Sequence, residues 1–132
     1  MRAILIANKA DDDGGHVVAY FQKLGYSFTT LTREESDQWP LLGNDVQLVV
    51  SLGSDWSVYW ADVAHHVRRE SELLKGAHQA GIPLFGVCFG AQILAFALGG
   101  EVSRAHHTEI GWFSVAWEPE SSQKTSDFAQ KQ

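Results

Sequence analysis

The run Gly86-Val87-Cys88-Phe89-Gly90 places the single cysteine of a 132-residue chain between two glycines. Apolar Leu84 and Phe85 precede it, and a helix-like stretch follows. A chain that passes from strand to helix within one residue needs small neighbours, and the residue at the turn is held in an uncommon backbone conformation. Such a turn lifts the side chain above the sheet and sets the sulfur at a helix N-terminus, where unpaired N–H groups favour the thiolate. The N–H of Phe89 would then point to where an oxyanion develops on an attacked carbonyl. Two roles fit this spacing: a nucleophile on display, or a buried cysteine in a tight turn.

The same logic underlies the G-x-S-x-G elbow of hydrolases. A thiol nucleophile also needs a base that takes its proton and returns it to the leaving group. Six histidines are available: His16, His65, His66, His78, His106 and His107. His65, His66 and His78 fall in a helical region and are expected to be solvated. His66 and Glu70 have i, i+4 spacing, but a metal site needs more ligands than two, so no metal and no cofactor is expected. His106 and His107 are the candidates for a substitute base.

Around these residues the chain alternates short apolar runs with helical patterns. Residues 3–7 predict a buried strand. Val17, Val18, Phe21 and Leu24 have helical spacing, with Gly25 as the stop. Residues 27–31 predict a second, weaker strand, and 32–45 a loop or short helical turn. Residues 46–52 give the strongest strand signal, ended by Gly53-Ser54-Asp55. From 57 to 80 the pattern is helical, with Trp60, Val63, Ala64, Val67, Leu74 and Ala77 on one face. The polar stretch 68–71 is the expected point of a break into two helices. Residues 84–87 predict a third buried strand, 90–98 an apolar helix, and 101–104 and 112–117 two more strands. The polar tail from Glu118 has little to bury.

Strands alternating with helices imply a parallel sheet covered on both faces, with any site at the carboxyl ends of the strands. Both Gly53-Ser54-Asp55 and Val87-Cys88-Phe89 fall there. At 45% apolar and 20% charged residues, the composition is that of a single globular domain. A formal charge of −6 without a basic cluster argues against nucleic acid and anionic membrane as partners. The N-terminal apolar run is too short for a signal peptide or a membrane span. One cysteine allows no internal disulfide, which suits a reducing compartment and predicts the cytoplasm.

The stretch "PLFGVCFGAQILAFALGGEV" closely resembles the nucleophile region of the class I (triad) glutamine amidotransferases, fixing Pro83, Gly86, Cys88, Gly90, Gln92, Gly99 and Gly100 together. Upstream, "LGSDWSVYW" is similar to the family's oxyanion loop G-G-P-x-S-V-Y, with Ser54 in place of the second glycine and Asp55 in place of the proline. Downstream, "HTEIGWFSV" resembles the E-I-G-W segment that helps close the glutamine pocket. The resemblance covers about residues 1–117 and is nearest to the GMP-synthase-like branch.

What the resemblance implies is specific. The fold would be an α/β three-layer sandwich with a mainly parallel sheet, flavodoxin-like, over residues 1–117, with 118–132 as a polar tail. Cys88 would attack the glutamine side-chain amide. Phe89 and Gly53-Ser54 would supply the oxyanion hole, and Gln92, Glu109 and Gly111 would bind substrate. A serine at position 54 is expected to strain a loop that favours glycine. The family completes its triad with a downstream His-x-Glu pair, and no histidine follows Trp117 here. The expectation is therefore an amidotransferase-like protein with an incomplete triad; the alternative is a non-catalytic binding or interaction protein that keeps the half-site. Uncovered apolar surface would be hidden by a homo-oligomer, most simply a dimer. Trp56, Tyr59, Trp60, Trp112 and Trp117 are expected to pack in the core or to form that interface.

Overall fold

The computed structural model describes residues 1–116. Four parallel strands, β1 (Arg2–Ala7), β2 (Ser27–Thr32), β3 (Val46–Ser51) and β4 (Leu84–Gly86), form one sheet in the order β2-β1-β3-β4. Helix α1 (Gly15–Lys23) follows β1, α2 (Ala64–Gln79) links β3 to β4, and α3 (Phe89–Ala97) follows β4. Short 3-10 turns occupy Lys9–Asp11, Arg33–Gln38 and Ala61–Val63.

Alternation along the strands makes two cores. Ala3 and Leu5 of β1, with Leu48 and Val50 of β3, pack against Val18 and Phe21 of α1. Ile4, Ile6 and Val49 face the other way, toward Val67, Leu74 and Ala77 of α2 and Phe89 and Ile93 of α3. The three-layer α/β expectation is met. Val46 and Leu48 lie two residues apart yet belong to opposite cores. The register between β1 and β3 shifts there, from Arg2 opposite Val46 to Ala3 opposite Leu48, and an extra residue in one strand reverses the facing of what precedes it.

Several sequence expectations are corrected. Residues 64–79 are one helix, not two. The polar stretch does not break it because Glu70 turns inward with Val67 and Leu74, in register with the apolar stripe. Trp60 and Ala64 do not share that buried face; both are exposed. Strand β4 is not buried: it is a sheet edge, and Phe85 is 43% exposed. Residues 101–104 and 112–116 form no strand. Period-two patterning yields a strand only where a neighbour supplies the hydrogen-bond ladder, and no described strand pairs with them. Val102 packs on the core, whereas 103–116 are exposed throughout. Tyr59, Trp60 and Trp112 are exposed rather than core residues, and the buried indole is Trp39, whose Nε1 donates to the carbonyl of Thr32. Trp117 and the tail 118–132 lie outside the described residues.

Candidate active site

The groups nearest the cysteine turn sit where the strands end. Asn8 follows β1, Arg33 follows β2, Ser51 closes β3 with Gly53 two residues on, and Val87-Cys88 follow β4. Parallel strands bring these carboxyl ends to one edge of the sheet.

Cys88 is the N-cap of α3, with φ 55° and ψ −114°. It is the one non-glycine residue at positive φ among the described residues. An L-residue pays for this conformation in strain, so the packing around it must enforce the turn. That packing is close. Val87 N–H donates to the Ser51 carbonyl at 2.9 Å, tying the elbow to the end of β3. A Cβ on Gly90 would lie 2.0 Å from the Ser51 oxygen, and one on Gly86 would lie 2.7 Å from Gly90 backbone atoms. Neither position accepts a side chain unless α3 moves off the sheet, which explains both glycines of the motif.

The thiol is exposed, so the buried-cysteine alternative is not what the fold builds. In the first turn of α3, the N–H groups of Gly90, Ala91 and Gln92 are taken by the carbonyls of Val87 and Cys88. The N–H of Phe89 donates to no group among the described residues. Gly53 faces the elbow from the neighbouring strand end: a Cβ on it would lie 3.5 Å from the Cβ of Cys88. The N–H groups of Gly53 and Ser54 also donate to nothing among the described residues. Ser54 has no positive φ, and its Oγ accepts the Trp56 N–H at 3.1 Å. The serine therefore closes its own turn rather than straining a glycine one.

Gln92 is exposed on the first turn of α3. His106, His107, Glu109 and Gly111 are exposed in the segment without regular structure, and no hydrogen bond among the described residues joins them to Cys88. His65 pairs with Asp37 at the surface. His66 is not solvated as expected: it is half-buried, bonded through Nδ1 to Ser36 Oγ at 2.7 Å and stacked on Trp56 at 5.2 Å.

Behind the elbow lies a network that the sequence reading missed. Arg33 and Glu70 are each 1% exposed. Arg33 Nε and Nη2 donate to the two carboxylate oxygens of Glu70 at 2.7 and 3.2 Å. Its remaining donors reach Asn8 Oδ1 at 2.9 Å, Ser51 Oγ at 3.1 Å, and the carbonyls of Leu52 and Gly53 at 2.8 and 3.0 Å. The guanidinium carbon stands 4.7 Å from the centre of the Phe89 ring. Ser51 Oγ in turn donates to Glu70 at 2.7 Å. A signal did exist: Glu70 occupies an apolar-stripe position of α2, and a carboxylate there requires a buried partner.

The network extends to the surface through Asn8, whose Nδ2 donates to Glu34 at 3.0 Å. Partial burial would raise the Glu34 carboxyl. Its own backbone N–H, the Asn8 side chain and the Lys9 N–H outweigh that, with Arg33 adding its charge, and hold the group below its ordinary 4.5.

Among the described residues no helix is long and apolar enough to cross a membrane.

Comparison with known proteins bears on the family and the fold. The family model described as "Glutamine amidotransferase class-I" matches residues 16–130. A GMP synthase (glutamine-hydrolyzing) of Leifsonia xyli subsp. xyli is 46% identical over 41 residues, 31% of this chain and 8% of that protein. The GMP synthase of Bacillus cytotoxicus is 33% identical over 78 residues, 59% of this chain and 14% of that protein. Among solved structures, a glutamine amido transferase from Methylobacillus flagellatus superposes with TM-score 0.70 at 27% identity, over 84% of this chain and 44% of that one. One from Thermotoga maritima gives 0.64 at 26% identity, over 75% of this chain and 43% of that one. The chain thus spans less than half the length of these structures and a small part of the curated relatives. With the family match running from α1 past the cysteine elbow, and a solved glutamine amido transferase superposing over most of the chain, the chain belongs to the class-I glutamine amidotransferase family.

Proposed function

We propose that this chain carries the nucleophile half of a glutamine amidotransferase site, in which Cys88 attacks the side-chain amide carbon of glutamine. The thiolate adds to that carbon, and the carbonyl oxygen becomes an oxyanion held by the N–H groups of Phe89 and of the Gly53-Ser54 loop. Collapse of the intermediate breaks the C–N bond, ammonia leaves with an added proton, and a γ-glutamyl thioester remains on Cys88. Water then releases glutamate. Gln92, Glu109 and Gly111 take the substrate-binding roles that the family resemblance gives them. The observation that carries this reading is the exposed Cys88 at positive φ at the head of α3, beside unengaged N–H groups on two strand ends. An exposed free thiol suits a reducing compartment such as the cytoplasm.

In this reading the described residues serve the attack and the oxyanion but not proton delivery, since none of the histidines among them is hydrogen-bonded to Cys88. The histidine that serves ammonia and water comes from a further segment or a second chain, or His106 or His107 moves in. Incubation with the electrophile diazo-oxo-norleucine, followed by mass spectrometry, should show one adduct at Cys88, absent in Cys88→Ala. A parallel ammonia-release assay of the 132-residue chain should show little turnover. Robust release that is lost in His106→Ala or His107→Ala would assign that histidine as the base. Neither adduct nor turnover would leave the non-catalytic binding reading.

The same reading includes a homodimer. Among the described residues β4 is a sheet edge with Phe85 43% exposed, and Phe96 and Leu98, 45% and 49% exposed, belong to the adjoining α3 segment. Two such edges about a two-fold axis cover each other. Sedimentation at micromolar concentration should give a dimer that Phe85→Lys dissociates; a monomer at all concentrations rejects it.

A further inference from the structure

We infer that Arg33, locked by Glu70, is a positioning residue that sets the direction of the Gly53 and Ser54 N–H groups beside Cys88. The catalytic consequence rests on the acylation reading above; the positioning itself does not.

The argument runs through the peptide plane. A carbonyl and the N–H that follows it belong to one rigid trans unit, and they point in opposite directions. Arg33 holds the Leu52 carbonyl, which shares its plane with the Gly53 N–H. It also holds the Gly53 carbonyl, which shares its plane with the Ser54 N–H. Fixing two carbonyls toward the guanidinium therefore aims two N–H groups away from it. Those are the two donors proposed for the oxyanion. To turn either peptide over, the chain would have to surrender a charge-assisted bond from a buried cation.

The guanidinium cannot drift, because its other donors are committed to Glu70, Asn8 and Ser51. Glu70 lies in α2, Ser51 closes β3 and Asn8 directly follows β1, so the loop is referenced to three parts of the scaffold at once. Phe89, which contributes the third N–H, packs its ring under the same cation. Ser51 completes the coupling: its hydroxyl bonds Glu70 while its carbonyl receives Val87, the residue before the nucleophile. One buried pair thus indexes both walls of the site. Lysine could keep the charge but could not bridge two carbonyls and a bidentate carboxylate with a single ammonium.

The test compares wild type, Arg33→Lys and Leu74→Ala, the last lowering stability from a core position outside the network. Amide exchange at Leu52 and Val87, whose N–H groups bond the Ile6 and Ser51 carbonyls on either side of the loop, should accelerate about tenfold or more in Arg33→Lys relative to Leu74→Ala at matched stability, with residues 3–7 unchanged between them. Cys88 acylation is then read with a γ-glutamyl thioester, whose leaving group needs no proton. Its burst rate should fall by about 10²-fold in Arg33→Lys, whereas labelling by iodoacetamide, which develops no oxyanion, should change far less. If Arg33→Lys does not fold, Glu70→Gln keeps the shape of the carboxylate while loosening the guanidinium and carries the same comparison. Equal exchange in the arginine and leucine variants overturns the inference and reduces Arg33 to a core staple. Parallel loss of both labelling rates does so too. A wild-type protein that ignores the thioester rejects the acylation reading, and amide exchange still decides the positioning.

Discussion

Two arginine–carboxylate pairs hold opposite ends of the sheet, and at nearly the same distance they do different work. Arg33 and Glu70 meet at 2.7 Å beneath the carboxyl ends, with side chains 1% and 2% exposed. Arg2 and Asp45 meet at 2.8 Å at the amino ends, with side chains 46% and 61% exposed. Distance alone would rank them equal. Burial and the number of further partners separate them: the inner guanidinium bonds five groups and lies against an aromatic ring, while the outer one bonds a single carboxylate. The inner pair has been taken out of water, so every lone pair and proton on it must be met by protein. No buried side-chain polar atom among the described residues lacks a partner. The outer pair can trade its partner for water at little cost.

The comparison breaks first at Glu70. Glu70→Ala leaves the Arg33 cation buried and unpaired, and removing one partner of such a pair costs about 3–5 kcal/mol. Urea unfolding should show that loss, with high salt restoring none of it. A loss within the range of surface substitutions would mean that water reaches the network and that the two ends are alike.

The carboxyl end also stores strain, which gives a prediction of opposite sign. Cys88 holds φ 55° and ψ −114°, a region natural to glycine. Cys88→Gly should stabilise the fold by up to about 2 kcal/mol, the relieved strain less the extra unfolded-state entropy of glycine, while abolishing thiol labelling. Thermal unfolding beside Cys88→Ala, which keeps the strain, checks it. Glycine and alanine variants of equal stability would show that the elbow is relaxed.

How far the sequence revealed these features follows from their physics. The elbow was legible because its requirements are local: a strand, a tight turn and a helix within a few residues, with Gly86 and Gly90 where backbones touch. β1, β3 and α3 were legible for the same reason, through apolar runs and glycine stops. The Arg33–Glu70 pair joins residues 37 positions apart, and no local pattern links them. Its spacing from Val67 and Leu74 sets Glu70 on the apolar stripe, but that register names no partner for the carboxylate. Residues 101–104 and 112–116 failed for the converse reason. Their alternation is local, but a strand is a relation to a neighbour, and the described sheet offers them none.

The smallest expected effect lies at the outer pair. The hydrogen bond from Arg2 is the leading cause that holds Asp45 below its ordinary 3.8, with the charge of Arg2 adding to it. A carboxylate whose pKa is lowered on folding adds stability above its unfolded value, and that contribution disappears as pH falls through the folded one. The window therefore begins near pH 3.8 and extends downward. Arg2→Gln should return the Asp45 titration, followed by carboxyl-detected NMR, toward its ordinary value. Salt at about 1 M should do much the same in the wild type, because the screening length then shrinks to about 3 Å and the pair faces solvent. Thermal stability at neutral pH should fall only slightly in either case. A clear loss of stability in Arg2→Gln, or a titration that ignores both salt and the substitution, would show that the amino end is gripped as firmly as the carboxyl end. The contrast in burial would then have no energetic meaning.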